Sequence, residues 1–130
     1  MSLFSKIVDR EIPAHIVAET TEFLAFLDIH PLTKGHLLVI PKKEVDQLFD
    51  LDDETYVGLM IFARVVAAGL RDAIPCERIG VTVIGLEVPH AHIHLIPIDT
   101  MDDMNFSRPK LKVSGEELEA IAEKIRSALS

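Results

Sequence analysis

The sequence predicts an α+β fold, with a mainly antiparallel sheet of about five strands, one long central helix and a C-terminal helix. Three observations carry this. Short apolar runs bounded by turn residues fill residues 15–40 and 78–98. Between them lies one long apolar segment opened by acids and closed by Pro75. The final residues repeat apolar side chains at helical spacing.

The first forty residues read as two or three short strands and their turns. His15–Glu19 and Glu22–Asp28 form a hairpin about Thr20-Thr21. The breaker-rich run from Asp28 to Gly35 is a loop, and His36–Ile40 is a strand ended by Pro41. Asp50, Asp52, Asp53 and Glu54 place negative charge where a helix N-terminus favours it, so a helix runs from about Asp52 to Ala73. Its apolar residues Val57, Leu59, Met60, Ile61, Phe62, Val65, Val66 and Leu70 cover most of its circumference, which requires burial on more than one side. In so small a chain the second cover is a subunit, and a homodimer is expected. Arg78–Ile84 and His90–Ile98 are the last two strands, and Asp99–Lys112 reads as an extended loop. Ser114-Gly-Glu-Glu117 is a capping box for the final helix, which buries Leu118, Ile121, Ala122, Ile125 and Leu129.

Composition narrows the function. At 130 residues, 48% of them apolar and 26% charged, the chain is sized and patterned for one globular domain over residues 1–130. Thirteen basic against twenty-one acidic residues give a net charge of -8, which argues against a general nucleic-acid binder. A small anionic ligand held by local donors remains compatible. The single cysteine, Cys76, excludes an intramolecular disulfide framework and suits a reducing compartment. Charges at Lys6, Asp9, Arg10 and Glu11 argue against a signal peptide, and Arg64 interrupts the most apolar stretch, Tyr56–Leu70. A cytoplasmic protein without a membrane partner is the expectation.

The chemistry concentrates in His90-Ala-His92-Ile-His94, held between Pro89 and Pro97. On a strand, alternate side chains share a face, so three imidazoles line up over roughly 13 Å with Ala91, Ile93 and Leu95 behind them. Three adjacent rings would repel on protonation without an anion nearby, which disfavours a merely decorative surface stripe. Two chemical alternatives stand. The rings could ligate zinc, but Ile93 occupies the place where one zinc hydrolase motif has Asp, and no other ligand completes a set. Alternatively they bind a phosphate, one ring attacking phosphorus while its neighbours donate protons.

His90-Ala-His-Ile-His-Leu-Ile96 resembles the histidine-triad (HIT) pattern, and the likeness extends along most of the chain. Phe4-Ser-Lys-Ile7 and Glu11-Ile-Pro13 resemble that family's opening. Phe26-Leu-Asp-Ile29, Pro31 and Gly35-His-Leu-Leu-Val-Ile-Pro-Lys-Lys43 resemble its central loop and strand. The resemblance implies a nucleotide hydrolase or transferase acting at the α-phosphate, closest to the branch that cleaves purine nucleoside phosphoramidates as a metal-free homodimer without a cofactor. It implies His92 as nucleophile, His94 at the phosphate and leaving group, and His90 and His36 in support. It further implies that Asp28 takes the ribose and that Leu3, Phe4, Ile7, Phe26 and Ile29 surround the purine base. A nucleotide-binding regulatory dimer with little turnover is the alternative.

Departures from the family pattern are specific. Gly85-Leu86 stands where Gly-Gln is usual, Glu87 where a phosphate-contacting Ser is common, and Pro97-Ile98 where many members have Pro-Arg. The strand before the triad has no Asn. Ser2-Leu-Phe-Ser5 replaces the Cys-x-x-Cys by which another branch holds structural zinc. The resemblance thus implies an altered substrate-positioning shell around retained histidines.

Overall fold

The hairpin expected at Thr20-Thr21 forms. In the computed structural model of the chain, which describes residues 1–130, the Thr20 hydroxyl accepts the Phe23 amide at 3.0 Å, between β1 (Ile16–Glu19) and β2 (Phe23–Leu27). β3 (Leu37–Pro41), β4 (Arg78–Thr82) and β5 (Ile93–Ile98) complete an antiparallel sheet in the order β1-β2-β3-β5-β4. The register places β3 beside β5, although more than fifty residues separate them in sequence.

The helices are α1 (Leu3–Val8), α2 (Asp53–Ala73) and α3 (Gly115–Leu129). Asp52 caps α2 through the Thr55 amide, and Ser114 caps α3 through the Glu117 amide. Both pack on one sheet face, where Leu59, Val66 and Leu70 of α2 and Ile121 and Ile125 of α3 meet Ala25, Val39, Ile93 and Leu95. A side chain at Gly69 would collide with Leu129, so this glycine sets how closely α2 and α3 approach. The opposite sheet face carries Leu24, Phe26, Leu38 and Ile40, covered by Phe4 and Ile7 of α1. That face also carries the histidines.

Three expectations need correction. Residues 3–8 form a helix, an element absent from the expected order of strands in the first forty residues. Six residues are too few to display a period, and the helix is held by the Ser2 cap and by burial of Phe4 and Ile7. The last strand begins at Ile93, not His90. β3 pairs no further than Val39 with Ile93 and β4 ends at Thr82 opposite His94, so His90 and His92 have no ladder to join. The amides of His90 and Ala91 are satisfied instead by the carbonyls of Val88 and Val45, at 2.8 and 2.7 Å. Residues 99–112 are not an extended loop. They open with a 3-10 turn, Met101–Met104, whose Asp103 accepts the Asp99 and Thr100 amides at 2.8 and 3.1 Å. Arg108 then ties the segment down, with ion pairs to Asp102 and Asp103 and a 2.8 Å hydrogen bond to the Leu32 carbonyl.

Candidate active site

Gly35 starts the construction of the site. Its φ of +97° lies in the left-handed region, and a Cβ there would press on Ile74, Pro97 and Leu70. The turn it permits delivers His36 to the start of β3, on the same face as Leu38, whose partner across the sheet is His94.

Hydrogen-bond partners determine the tautomers. The Leu32 amide donates to His36 Nδ1 at 3.0 Å, so the His36 proton is on Nε2. That Nε2–H donates to His94 Nδ1 at 3.0 Å, which leaves His94 with its hydrogen on Nε2. Burial, reinforced by His94 and by the charge of Lys110, pushes the His36 pKa down to about 3. Burial and the neighbouring His92 push His94 down to about 4. Both rings are therefore neutral at pH 7.

His92 has the opposite tautomer. Its Nδ1 lies 2.7 Å from the His90 carbonyl, which can only accept, so the proton is on Nδ1 and Nε2 carries a free lone pair. The His92 and His94 rings are edge to face with centroids 5.0 Å apart. A nitrogen lone pair thus stands beside an N–H donor.

His90 lies beneath them and is fully buried. Its Nε2–H donates to the Pro41 carbonyl at 2.7 Å, and its Nδ1 faces the Ser2 hydroxyl at 2.8 Å. Burial lowers its pKa, against the opposing pull of the Pro41 carbonyl. Glu44 anchors this layer by accepting the Ser5 hydroxyl at 2.6 Å and the Ser2 amide. Those bonds, the Ser5 hydroxyl foremost, hold its pKa at about 2. Every buried side-chain polar atom has a partner.

Asp28 closes the other end. Its Oδ1 accepts the His30 amide at 2.8 Å, while Oδ2 lies 3.7 Å from His36 Nε2. Burial raises its pKa. With His36 neutral, the Asp28–His36 approach is not an ion pair. Asp28, His36 and His94 present donor atoms within 4.8 Å of one another. Both nitrogens of His36 are nevertheless committed, so a metal would have to displace the Leu32 or the His94 hydrogen bond.

The other residues singled out in the sequence separate into two groups. Phe4, Ile7 and Phe26 are buried, with the Phe4 ring 5.4 Å from Phe26 and 5.0 Å from His92. Leu3 and Ile29 are about half exposed, at 49% and 55%. Lys42 and Lys43 pair with Glu19 and Asp52. Sequence reasoning missed Ser2, Ser5 and Glu44 beneath His90, and also Phe106, whose ring stands 5.0 Å from His94 and 6.1 Å from His36. The only signal for the first group was a serine pair at capping distance. Phe106 had none.

This geometry coincides with a known family. Residues 9–101 match the HIT domain. The chain belongs to the HIT family. An adenosine 5'-monophosphoramidase of Schizosaccharomyces pombe is 35% identical over 130 residues, covering 98% of this chain and 97% of that protein. A Hit-like protein from Bartonella henselae superposes with a TM-score of 0.85 at 33% identity, over 98% of this chain and 96% of that one. A histidine triad nucleotide-binding protein from Sulfolobus tokodaii gives 0.83 at 29% identity, over 97% and 90%. The five-stranded sheet with α2 and α3 is the HIT fold. No helix is long and apolar enough to cross a membrane.

The buried neutral rings predict a pH dependence of stability for this HIT protein. His36 and His94 have folded pKa values of about 3 and 4, below the ordinary 6.5, so the unfolded chain binds more protons between these limits. Their contribution is complete above pH 6.5 and is lost as the pH falls toward 4. Between pH 7 and pH 5 the cost should be on the order of 1–2 kcal/mol for each ring. Asp28, raised by burial, acts in the opposite sense, but only in the range where carboxylates titrate. Denaturant midpoints at the two pH values check this. Equal stability at pH 7 and pH 5 would mean that the folded rings take up protons as readily as those of the unfolded chain.

Proposed function

We propose that this HIT protein hydrolyses conjugates of purine nucleoside monophosphates, phosphoramidates and related AMP or GMP derivatives, through a nucleotidyl-histidine intermediate. The observation that carries this is the pair of opposite tautomers, a lone pair on His92 Nε2 beside a hydrogen on His94 Nε2. In this scheme His92 Nε2 attacks the α-phosphorus as the bond to the leaving group breaks. The departing atom accepts the hydrogen bond of His94 Nε2–H, which stabilises the charge developing on it, and takes its proton from solvent as it leaves. Water then attacks phosphorus and loses a proton to solvent as the phosphorus–Nε2 bond breaks, which releases the nucleoside monophosphate and returns the lone pair to His92.

His36 and His90 hold the two reacting rings in these tautomers. Asp28 accepts from the ribose hydroxyls, and the base lies among Leu3, Phe4, Ile7, Phe26 and Ile29. No metal or cofactor enters the scheme. The name of the Schizosaccharomyces pombe relative supports the substrate class.

A second function, a nucleotide-binding regulatory dimer, is favoured by one feature. Leu86 is 89% exposed and offers no donor, and the charge of Glu87 reaches Asp28. A panel of adenosine phosphoramidates, dinucleoside polyphosphates and other AMP conjugates separates the two. Release of AMP from any of them supports the hydrolase, and binding without release supports the regulator.

Both functions include a homodimer. One side of α2 leaves Val57, Met60, Ile61 and Val65 between 41% and 56% exposed, and the edge strand β4 adds Val81 at 57%. An apolar face of this kind, continuous with an unpaired strand edge, suits a two-fold contact. Val65→Glu should convert the dimer to a monomer by light scattering at micromolar concentration. A monomeric wild type would remove the dimer from the proposal.

A further inference from the structure

Lys110 lies outside the matched HIT domain, yet its charge is felt at His36 and Asp28. Two hydrogen bonds stitch its segment to the loop between Asp28 and His36. Arg108 donates to the Leu32 carbonyl at 2.8 Å, and the Leu111 amide donates to the Pro31 carbonyl at 2.9 Å. Phe106, on the same segment, sets its ring edge against His94 and His36. The Lys110 ammonium donates to the Phe106 carbonyl at 2.6 Å and stands 5.8 Å from the centre of that ring.

Charge makes this placement consequential. Burial holds His36, His90 and His94 neutral, so these rings offer hydrogen bonds and no net positive charge. Asp28 and Glu87 add negative charge. Arg108 is spent on Asp102 and Asp103, and Lys42 and Lys43 have carboxylate partners of their own. Lys110 forms no ion pair, and its field lowers the pKa of both Asp28 and His36. A phosphate entering such a site needs a cation, because neutral donors alone leave its charge uncompensated in a poorly solvated setting.

We propose that Lys110 is the phosphate-binding cation of this site, its ammonium turning from the Phe106 carbonyl to the non-bridging oxygens of the α-phosphate. Four methylenes and three rotatable donors allow that movement without disturbing the segment. Phe106 is the positioning residue, walling the phosphate against His94 and fixing where the lysine stem begins. The assignment rests on the nucleotide function proposed above. It also explains how a chain with Leu86 and Glu87 beside the triad can hold an anion. The compensating charge comes from the C-terminal segment, not from the loop before the histidines.

Calorimetric titration with AMP and with adenosine tests this on wild type, Lys110→Met and Lys110→Arg. Methionine keeps the stem and removes the charge. AMP should bind about tenfold more weakly to Lys110→Met, with most of the affinity restored in Lys110→Arg, while adenosine binds all three alike. Added salt should weaken AMP binding to wild type more than to Lys110→Met. Equal AMP affinity in wild type and Lys110→Met overturns the assignment, as does an equal loss for adenosine, which would make the residue merely structural. A wild type that binds no AMP overturns the nucleotide function itself, and this assignment with it.

Discussion

His92→Ala should abolish the covalent nucleotidyl-enzyme and reduce turnover by roughly four orders of magnitude or more, the scale seen when a nucleophile is removed. The three triad rings are chemically alike, so the reason lies in their partners. His90 directs its Nε2–H into the Pro41 carbonyl and its Nδ1 toward Ser2, which leaves no nitrogen for substrate. His94 has given its Nδ1 lone pair to His36. Only His92 has its proton fixed on the inner nitrogen and a lone pair on the outer one. Nucleotide affinity should change little, because the phosphate keeps its other contacts. Acid quenching with a substrate labelled at the α-phosphate reads the intermediate directly. The assignment fails if label attaches to His92→Ala at the wild-type rate, or if wild type turns over with inversion at phosphorus and no trapped species.

The second large effect should come from a residue that does not reach the phosphate. His36→Leu removes the Nε2–H that occupies His94 Nδ1, so the His94 proton is free to settle on the inner nitrogen. The ring would then turn a lone pair toward the substrate instead of a donor. Removing a preorganised donor of this kind costs roughly a hundred- to a thousandfold in rate. The loss should be greatest for poor leaving groups, which depend most on stabilisation of the charge developing on them. Trapping separates this from a general loss of structure. The His92 adduct should still form with a good leaving group, while turnover of poor ones collapses. A uniform loss across leaving groups would mean that His36 serves packing alone. The Leu32 amide, left without its acceptor, adds a stability cost that the melting curve will show.

The elements most legible in the sequence were those with a period. α2 begins at Asp53 with Asp52 as its cap and ends at Ala73, close to the boundaries that the acids and Pro75 imply. α3 starts from Ser114, as its serine and following acids imply. β2 and β3 were marked by their turn residues. What could not be read were the pieces whose stability comes from contacts distant in sequence. α1 is a six-residue helix held by the Ser2 cap and its burial against β2 and β3. The start of β5 depends on where β3 and β4 stop offering partners, which no local pattern encodes.

The same division runs through the active site. The alternation of His90, His92 and His94 with apolar residues left zinc and phosphate as alternatives, and the resemblance to the HIT pattern, which extends to Asp28 and His36 around a glycine turn, is what pointed to phosphate. The tertiary structure decided the state of each ring. A histidine's tautomer is set by what its second nitrogen meets, and here those groups are the Leu32 amide, the Pro41 carbonyl and the Ser2 hydroxyl, from three separate parts of the chain. Burial then lowered the pKa values of His36 and His94, a consequence of packing that composition cannot express. The segment from Phe106 to Lys110 reached the site for the same reason. Its address is written in Arg108 and in the Leu111 amide, which bind backbone carbonyls nearly eighty residues earlier in the chain, and a hydrogen bond to a carbonyl leaves no trace in the identity of the residue that supplies it.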